Sequence, residues 1–171
     1  MKKILLVLVV AVAMGCGDTK KEENPQIQIG TQEDGQTSST ETADEAVATV
    51  TIDGNDQMKY NKNEIRVKTG QKVKLTLNHV GKMEKTVMGH NWVLLTQDAD
   101  VAAVGLAAAT ASETDYIPAS MKDKIIVHTK MLGGGETDII EFDAPAPGTY
   151  TFMCTFPGHW RMMKGVIRVN K

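Results

Sequence analysis

The 171-residue sequence predicts an all-β fold, a Greek-key β-sandwich of seven to eight strands with one short inserted helix. Three observations carry this reading. Val73, Leu75 and Leu77 alternate with Lys72, Lys74, Thr76 and Asn78, the two-residue period of a strand with one buried face. Short runs rich in β-branched and aromatic residues then recur to the end of the chain. Turn residues separate the later ones, as in Gly133-Gly134-Gly135 and Pro145-Ala146-Pro147-Gly148.

Three segments follow in order. In residues 1–16, Lys2-Lys3 precedes the apolar run Ile4 to Ala13, a charged start and a short hydrophobic stretch. The run falls short of the roughly 20 apolar residues that a spanning helix needs. It therefore reads as a removable signal peptide. Ala13-Met14-Gly15-Cys16 resembles a bacterial lipobox, which implies cleavage before Cys16 and a lipid on its sulfur; an ordinary signal peptide with an incidental cysteine is the alternative. Residues 17–46 hold eight acids against Lys20 and Lys21 and almost no aliphatic clusters, so they are expected to form a disordered acidic tether. About 30 flexible residues reach roughly 30 Å, and mutual repulsion extends them further.

Residues 47–171 are the expected folded domain. Ile65 and Val67 alternate with Glu64, Arg66 and Lys68, and the 72–78 strand follows. Further β-rich runs are His90–Thr96, Lys124–Thr129, Thr137–Phe142, Thr149–Cys154 and Gly165–Val169. One segment breaks the pattern. Asp98–Ala111 is rich in alanine, with Asp98 placed to cap a helix inserted between strands. The net charge divides as +2 for residues 1–16, −6 for 17–46 and +2 for 47–171, nowhere dense enough for nucleic acid. The ten methionines are soft, adaptable side chains, divided in this reading between core gaps and a binding face.

Four side chains carry the chemistry: His90, Cys154, His159 and Met163. The last three share the stretch Cys154-Thr-Phe-Pro-Gly-His159-Trp-Arg-Met-Met163, a loop between two strands that Pro157-Gly158 turns. His90 lies 64 residues upstream of Cys154 and must be delivered by the fold. Singly, each residue has an ordinary structural reading, and Cys16 with Cys154 could form one disulfide. Their conjunction points elsewhere. A thiolate with two imidazoles and a weak thioether describes a blue-copper site, suited to both Cu(I) and Cu(II).

The segment Cys-Thr-Phe-Pro-Gly-His, then three residues, then Met resembles the ligand loop of azurins; four residues separate Cys154 from His159, where plastocyanins and amicyanins have two. Met88-Gly-His-Asn-Trp-Val-Leu-Leu95, Gly54-Asn-Asp-Gln-Met58, His128-Thr-Lys130 and Gly133-Gly134-Gly135-Glu136 are also similar to segments of that family. The resemblance runs from about Ala48 to Lys171 and implies a cupredoxin fold. It implies copper held by His90, Cys154 and His159, with Met163 weakly axial and the Gly89 carbonyl on the opposite side. It also implies that the Asn91 and Phe156 N–H groups face the thiolate sulfur, and that Trp92 and His79 are buried and His128 exposed. The spacing selects Met163 over Met162. The family brings its second ligand histidine to the surface in an apolar patch, so Met58, Met83, Met88, Phe156, Pro157 and Trp160 are expected around His159 as the partner docking face, Trp160 at its centre. Ala48 and Gly70 stand where azurins usually carry a disulfide, and the acidic tether and Trp160 are further departures.

The expected function is one-electron transfer between membrane-associated redox partners, without catalysis. Azurin resemblance suggests a c-type cytochrome, a membrane quinol-oxidising complex, a nitrite reductase or a terminal oxidase as partner. The protein is expected to be a monomer on the periplasmic side of a bacterial envelope, held to a membrane by the lipid on Cys16 that the lipobox-like segment implies. A copper-binding or copper-delivering lipoprotein without electron transfer is the alternative. A Cys-His hydrolase would need an oxyanion loop and an orienting carboxylate that the sequence does not display.

Overall fold

A computed structural model of the chain describes residues 46–171. The expected signal peptide, Cys16 and all but the last residue of the acidic stretch lie outside the described residues. Among the described residues no helix is long and apolar enough to cross a membrane.

Among the described residues, nine strands form two sheets: β1 Val47–Asn55, β2 Lys59–Tyr60, β3 Glu64–Lys68, β4 Lys72–His79, β5 Val93–Leu95, β6 Ile125–His128, β7 Thr137–Asp143, β8 Gly148–Met153 and β9 Lys164–Asn170. One sheet has the order β2-β1-β4-β7 and the other β3-β9-β8-β5-β6. The pairs β1/β4 and β3/β9 are parallel and the rest antiparallel, so the chain crosses repeatedly between sheets as a Greek key does. The sandwich is as expected. The count exceeds seven or eight because β2 has only two residues, too few to show a period.

Alternation builds the core. In β4, Val73, Leu75 and Leu77 are buried while Lys72 and Lys74 face out. They meet Val50 and Ile52 of β1, Ile65 and Val67 of β3, Leu94 of β5, Phe152 of β8 and Ile167 of β9 between the sheets. Trp92 stands fully buried among them, its ring 5.5 Å from that of Phe152. Each such side chain removed from water stabilises the fold by about 1.5–3 kcal/mol before entropy is counted.

The apolar run Val93-Leu94-Leu95 does not alternate, because β5 is covered on both faces. Leu94 points between the sheets, whereas Val93 and Leu95 join a second cluster with Val104 and Met153. The inserted helix provides that outer cover. It is shorter than Asp98–Ala111, spanning Val101–Ala108, and its cap is Asp100, not Asp98. The Asp100 carboxylate accepts from the Ala102 and Ala103 N–H groups at 2.8 and 3.2 Å. Asp98 instead accepts from Thr96 Oγ1 and pairs with Lys124. A four-residue helix that the sequence did not announce, Lys85–Met88, precedes His90. In chain order these helices are α1 and α2.

Candidate metal centre

One end of the sandwich gathers the four expected side chains. Cys154 directly follows β8 and Met163 directly precedes β9, and Cys154 N–H donates to the Met163 carbonyl at 2.9 Å, closing the loop between them. Within it, Gly158 adopts φ +82°, a left-handed turn that favours glycine, and leads into a 3-10 turn at His159–Arg161. Met163 N–H returns to the His159 carbonyl at 2.8 Å. These bonds place residues 154, 159 and 163 on one inner surface.

His90 arrives from the other side of the centre. It lies ahead of β5, in a single bridge with Leu132, rather than opening that strand. Asn91 joins the two ligand-bearing segments: its side chain donates to Thr155 Oγ1 at 2.7 Å and accepts from Thr155 N–H at 2.9 Å. The fold thereby brings one ligand atom each of His90, Cys154 and His159 within 4.8 Å of one another, all three residues buried.

The donor chemistry follows from hydrogen bonding. His90 Nε2 lies 2.9 Å from the Asn55 carbonyl, which has only lone pairs to offer, so Nε2 carries the proton. Nδ1 is then an acceptor, and it is buried without a hydrogen-bond partner. His159 Nδ1 lies 3.7 Å from Cys154 Sγ. Burial depresses the pKa of His90 and brings that of His159 down to about 4, so both imidazoles are neutral near pH 7. Burial pushes the Cys154 thiol up to about 11, while the Asn91 and Phe156 N–H groups and the Tyr60 hydroxyl pull the other way. A bound cation must therefore displace that proton.

Met163 is fully buried and packs in one cluster with Cys154, Met131 and Phe156. A side chain at Gly54 would meet the His90 ring at 3.0 Å and the Met163 methyl at 3.5 Å, so the thioether lies beside His90. The Gly89 carbonyl is 3.8 Å from Cys154 Sγ. A Cβ on Gly89 would fall 2.6 Å from the Lys85 carbonyl and 2.9 Å from both Met131 and Phe156, so the site closes tightly over the backbone there. A buried lone pair without a partner, a second neutral imidazole, a thiol and a thioether form a donor set that fits copper. Zinc would favour a fourth strong ligand over a thioether.

The surroundings depart from expectation at two points. His159 is only 3% exposed, lying 4.7 Å from the Phe156 ring, which is itself buried against Tyr116. The histidine is thus nearly covered rather than surface-borne. Trp160 is half-buried and packs inward with Val104 and Met153 under α2. A Cβ at Gly105 would lie 2.5 Å from its indole, so the helix can approach only because residue 105 has no side chain. Of the other residues expected on the docking face, Met83 is 44% exposed, while Met58, Met88 and Pro157 are half-buried. Met162 is 59% exposed where Met163 is fully buried.

His79 is 1% exposed and stacks on His90 at 4.3 Å; it accepts from Gly81 N–H through Nδ1 and donates from Nε2 to the Met88 carbonyl. His128 is exposed. Sequence reading passed over Tyr60 and Met131, which both line the centre. The only signal was adjacency, Tyr60 two residues after Gly54-Asn-Asp-Gln-Met58 and Met131 one after His128-Thr-Lys130.

Residues 46–170 match the family described as copper binding proteins, plastocyanin/azurin family. The chain is 46% identical over 127 residues to the azurin of Achromobacter denitrificans, covering 70% of this chain and 83% of that protein. Among solved structures, the dithionite-reduced auracyanin of the photosynthetic bacterium Roseiflexus castenholzii is 40% identical with a TM-score of 0.64, covering 72% of this chain and 97% of that one. An azurin of the obligate methylotroph Methylomonas sp. strain J is 33% identical with a TM-score of 0.65, covering 72% and 98% respectively.

Proposed function

Because this chain belongs to the plastocyanin/azurin family of copper-binding proteins, we propose that it is a one-electron carrier with a single type 1 copper site, held by His90, Cys154 and His159 with Met163 weakly axial. The observation that carries the reading is the buried, unpartnered Nδ1 of His90 beside a buried thiol and a second neutral imidazole. Copper bound there would supply a couple between Cu(I) and Cu(II). The chain's own part is rigidity. Asn91 ties the two ligand segments through Thr155, the Cys154–Met163 bond closes the loop, and the clusters around them exclude water. A site that cannot relax toward the preference of either oxidation state reorganises little, so electrons pass quickly.

The loop register has a direct test. Met163→Leu removes a weak axial donor and is expected to retain copper and the intense red absorption of the copper(II) form while raising the reduction potential. Met162→Leu, at an exposed position, is expected to leave the potential near that of the parent. A larger shift in the second variant would mean that the wrong thioether has been assigned.

Met58, Met83, Met88, Pro157 and Trp160 are the proposed docking face for redox proteins, a c-type cytochrome, a quinol-oxidising complex, a nitrite reductase or a terminal oxidase. The exposed Met83 supports it, and Trp160 would act from the rim, given its packing under α2. The Gly89 carbonyl, 3.8 Å from Cys154 Sγ, would be a further oxygen donor to the copper, and the Asn91 and Phe156 N–H groups would tune the sulfur.

The remainder of the proposal rests on residues 1–46. A signal peptide at 1–16, a lipid on Cys16 and an acidic tether would hold the domain near a membrane on the periplasmic side. The lipobox-like Ala13-Met14-Gly15-Cys16 and the charge division support this. Several acyl chains on one modified cysteine anchor stably, where one holds only marginally. The native mature protein is expected in the membrane fraction with an acylated N-terminal peptide by mass spectrometry, and Cys16→Ser is expected to lack the acyl mass. A native protein found wholly in the soluble fraction without acyl groups would remove the anchor from the proposal.

A further inference from the structure

After Asp143 the chain has no further acidic side chain, so Arg161, Lys164, Arg168 and Lys171 have no compensating neighbour in sequence. Arg168 finds Glu64 across the β3/β9 pair, at 3.1 Å. Arg161 and Lys164 find none. Among the described residues neither side chain lies in an ion pair or a hydrogen bond. Both residues are exposed, and Met162, next to Arg161, is 59% exposed. Two free cations and an exposed thioether therefore share the short stretch that leads from His159 into β9.

Arg161 is also held in place. It ends the 3-10 turn that His159 opens, and the Met162 and Met163 N–H groups both return to the His159 carbonyl, at 2.9 and 2.8 Å. Its guanidinium carbon lies 5.3 Å from the centre of the Trp160 ring. That indole is itself fixed against Gly105 of α2. A cation over an exposed aromatic face gains about 0.5–1 kcal/mol. Stacking occupies the flat face of the guanidinium and leaves its N–H edge open. That edge is a planar fork whose spacing matches both oxygens of a carboxylate. A side chain already ordered on an indole loses less freedom when such a partner arrives.

We propose that Arg161, pre-ordered on Trp160 and assisted by Lys164, is the recognition site for a carboxylate on an acidic redox protein, two residues from His159. The inference rests on the electron-carrier reading given above and assigns a charge to the partner. Charge complementarity favours a protein carboxylate here over a lipid surface, because membranes are gripped by clusters of about 4–8 cations. Opposite charges across a contact speed the encounter and fix its orientation, and added salt weakens them. A carboxylate seated on Arg161 brings its protein to the same turn that holds His159.

The experiment uses the full chain carrying Cys16→Ser, so that no acyl chain contributes, alone and with Arg161→Gln or Lys74→Gln. Lys74 is the control: it is exposed within β4, so its loss changes net charge equally but away from the ligand loop. The metal-free proteins are titrated with hexaglutamate while amide resonances are followed. The Arg161, Met162 and Lys164 amides are expected to shift, and Arg161→Gln is expected to weaken binding several-fold where Lys74→Gln does not. The copper(I) forms are then oxidised by hexacyanoferrate(III), which takes one electron and leaves copper(II). That rate is expected to fall as salt rises, and at low salt to be several-fold slower in Arg161→Gln alone. Absence of peptide shifts at these amides, or equal losses in the two variants, would overturn the inference. Without a peptide response, retention of the parent but not Arg161→Gln on phosphatidylglycerol vesicles would assign the cations to lipid and overturn it. So would shifts of the same amides on deletion of residues 17–46, which would assign them to the chain's own acidic segment. A copper(I) form that hexacyanoferrate(III) leaves unoxidised, with the peptide titration as expected, would overturn the electron-carrier reading and leave the carboxylate site standing.

Discussion

Cys154→Ser is expected to give a folded protein without the intense red absorption of the copper(II) form. The change is nearly isosteric, and the Cys154 backbone bond to Met163 does not involve the sulfur, so the loop can close as before. What disappears is the soft thiolate. Even in its buried setting, with the thiol pushed up to about 11, Cys154 can be deprotonated by a bound cation, and its sulfur can donate charge to copper(II). A serine hydroxyl is far less acidic and a harder donor, so residual copper bound by His90 and His159 would be pale. Absorption spectra of parent and variant at equal copper content make the measurement, with melting curves of the metal-free proteins to show that both are folded. An unchanged visible spectrum in the variant would refute the blue-copper assignment.

Gly105→Val is expected to destabilise the domain by about 1–3 kcal/mol, the ordinary cost of forcing extra carbon into a packed site. In a helix open to solvent the same change would be neutral or mildly favourable, because glycine is the poorer helix former. Here the indole of Trp160 occupies the space at 2.5 Å from an added Cβ. The two residues are coupled, and the coupling can be measured. In a Trp160→Ala background the penalty of Gly105→Val should largely vanish, which denaturant titration of the four proteins in a double-mutant cycle would read. Equal penalties in both backgrounds would show that the helix, not the indole, resists the side chain. Trp160→Ala by itself is expected to leave the visible spectrum nearly intact, since the indole packs against α2.

Period and punctuation made most of the sandwich legible. The alternation of Val73, Leu75 and Leu77 with polar neighbours foretold β4 and its buried face, and the glycine and proline clusters marked later turns. Where both faces are covered the period vanishes. Val93-Leu94-Leu95, expected within the β-rich run His90–Thr96, is a strand without alternation because α2 lies over its outer face. The helix cap was misplaced by two residues, because Asp98 and Asp100 are chemically equivalent in sequence. The Thr96 hydroxyl and the Lys124 ammonium, the latter brought alongside by the fold, occupy Asp98 and leave Asp100 to the helix.

The sequence by itself determined the parts of this protein whose geometry is local: the sheet-forming class, and a ligand loop in which Cys154, His159 and Met163 lie so close that one turn at Pro157-Gly158 can bring them together. Tertiary structure alone decided what long-range packing controls. It carried His90 to that loop through Asn91 and Thr155, and it set the imidazole tautomer by placing the Asn55 carbonyl against Nε2. It also covered His159 with Phe156, turned Trp160 under a helix that had a glycine waiting, and set the Tyr60 hydroxyl on the Asn91 carbonyl. The physical reason is one of range. Backbone sterics and hydrophobic period act over a few neighbouring residues and are written in the order of the chain, whereas a partner for a buried polar atom is chosen only when distant segments close-pack and exclude water.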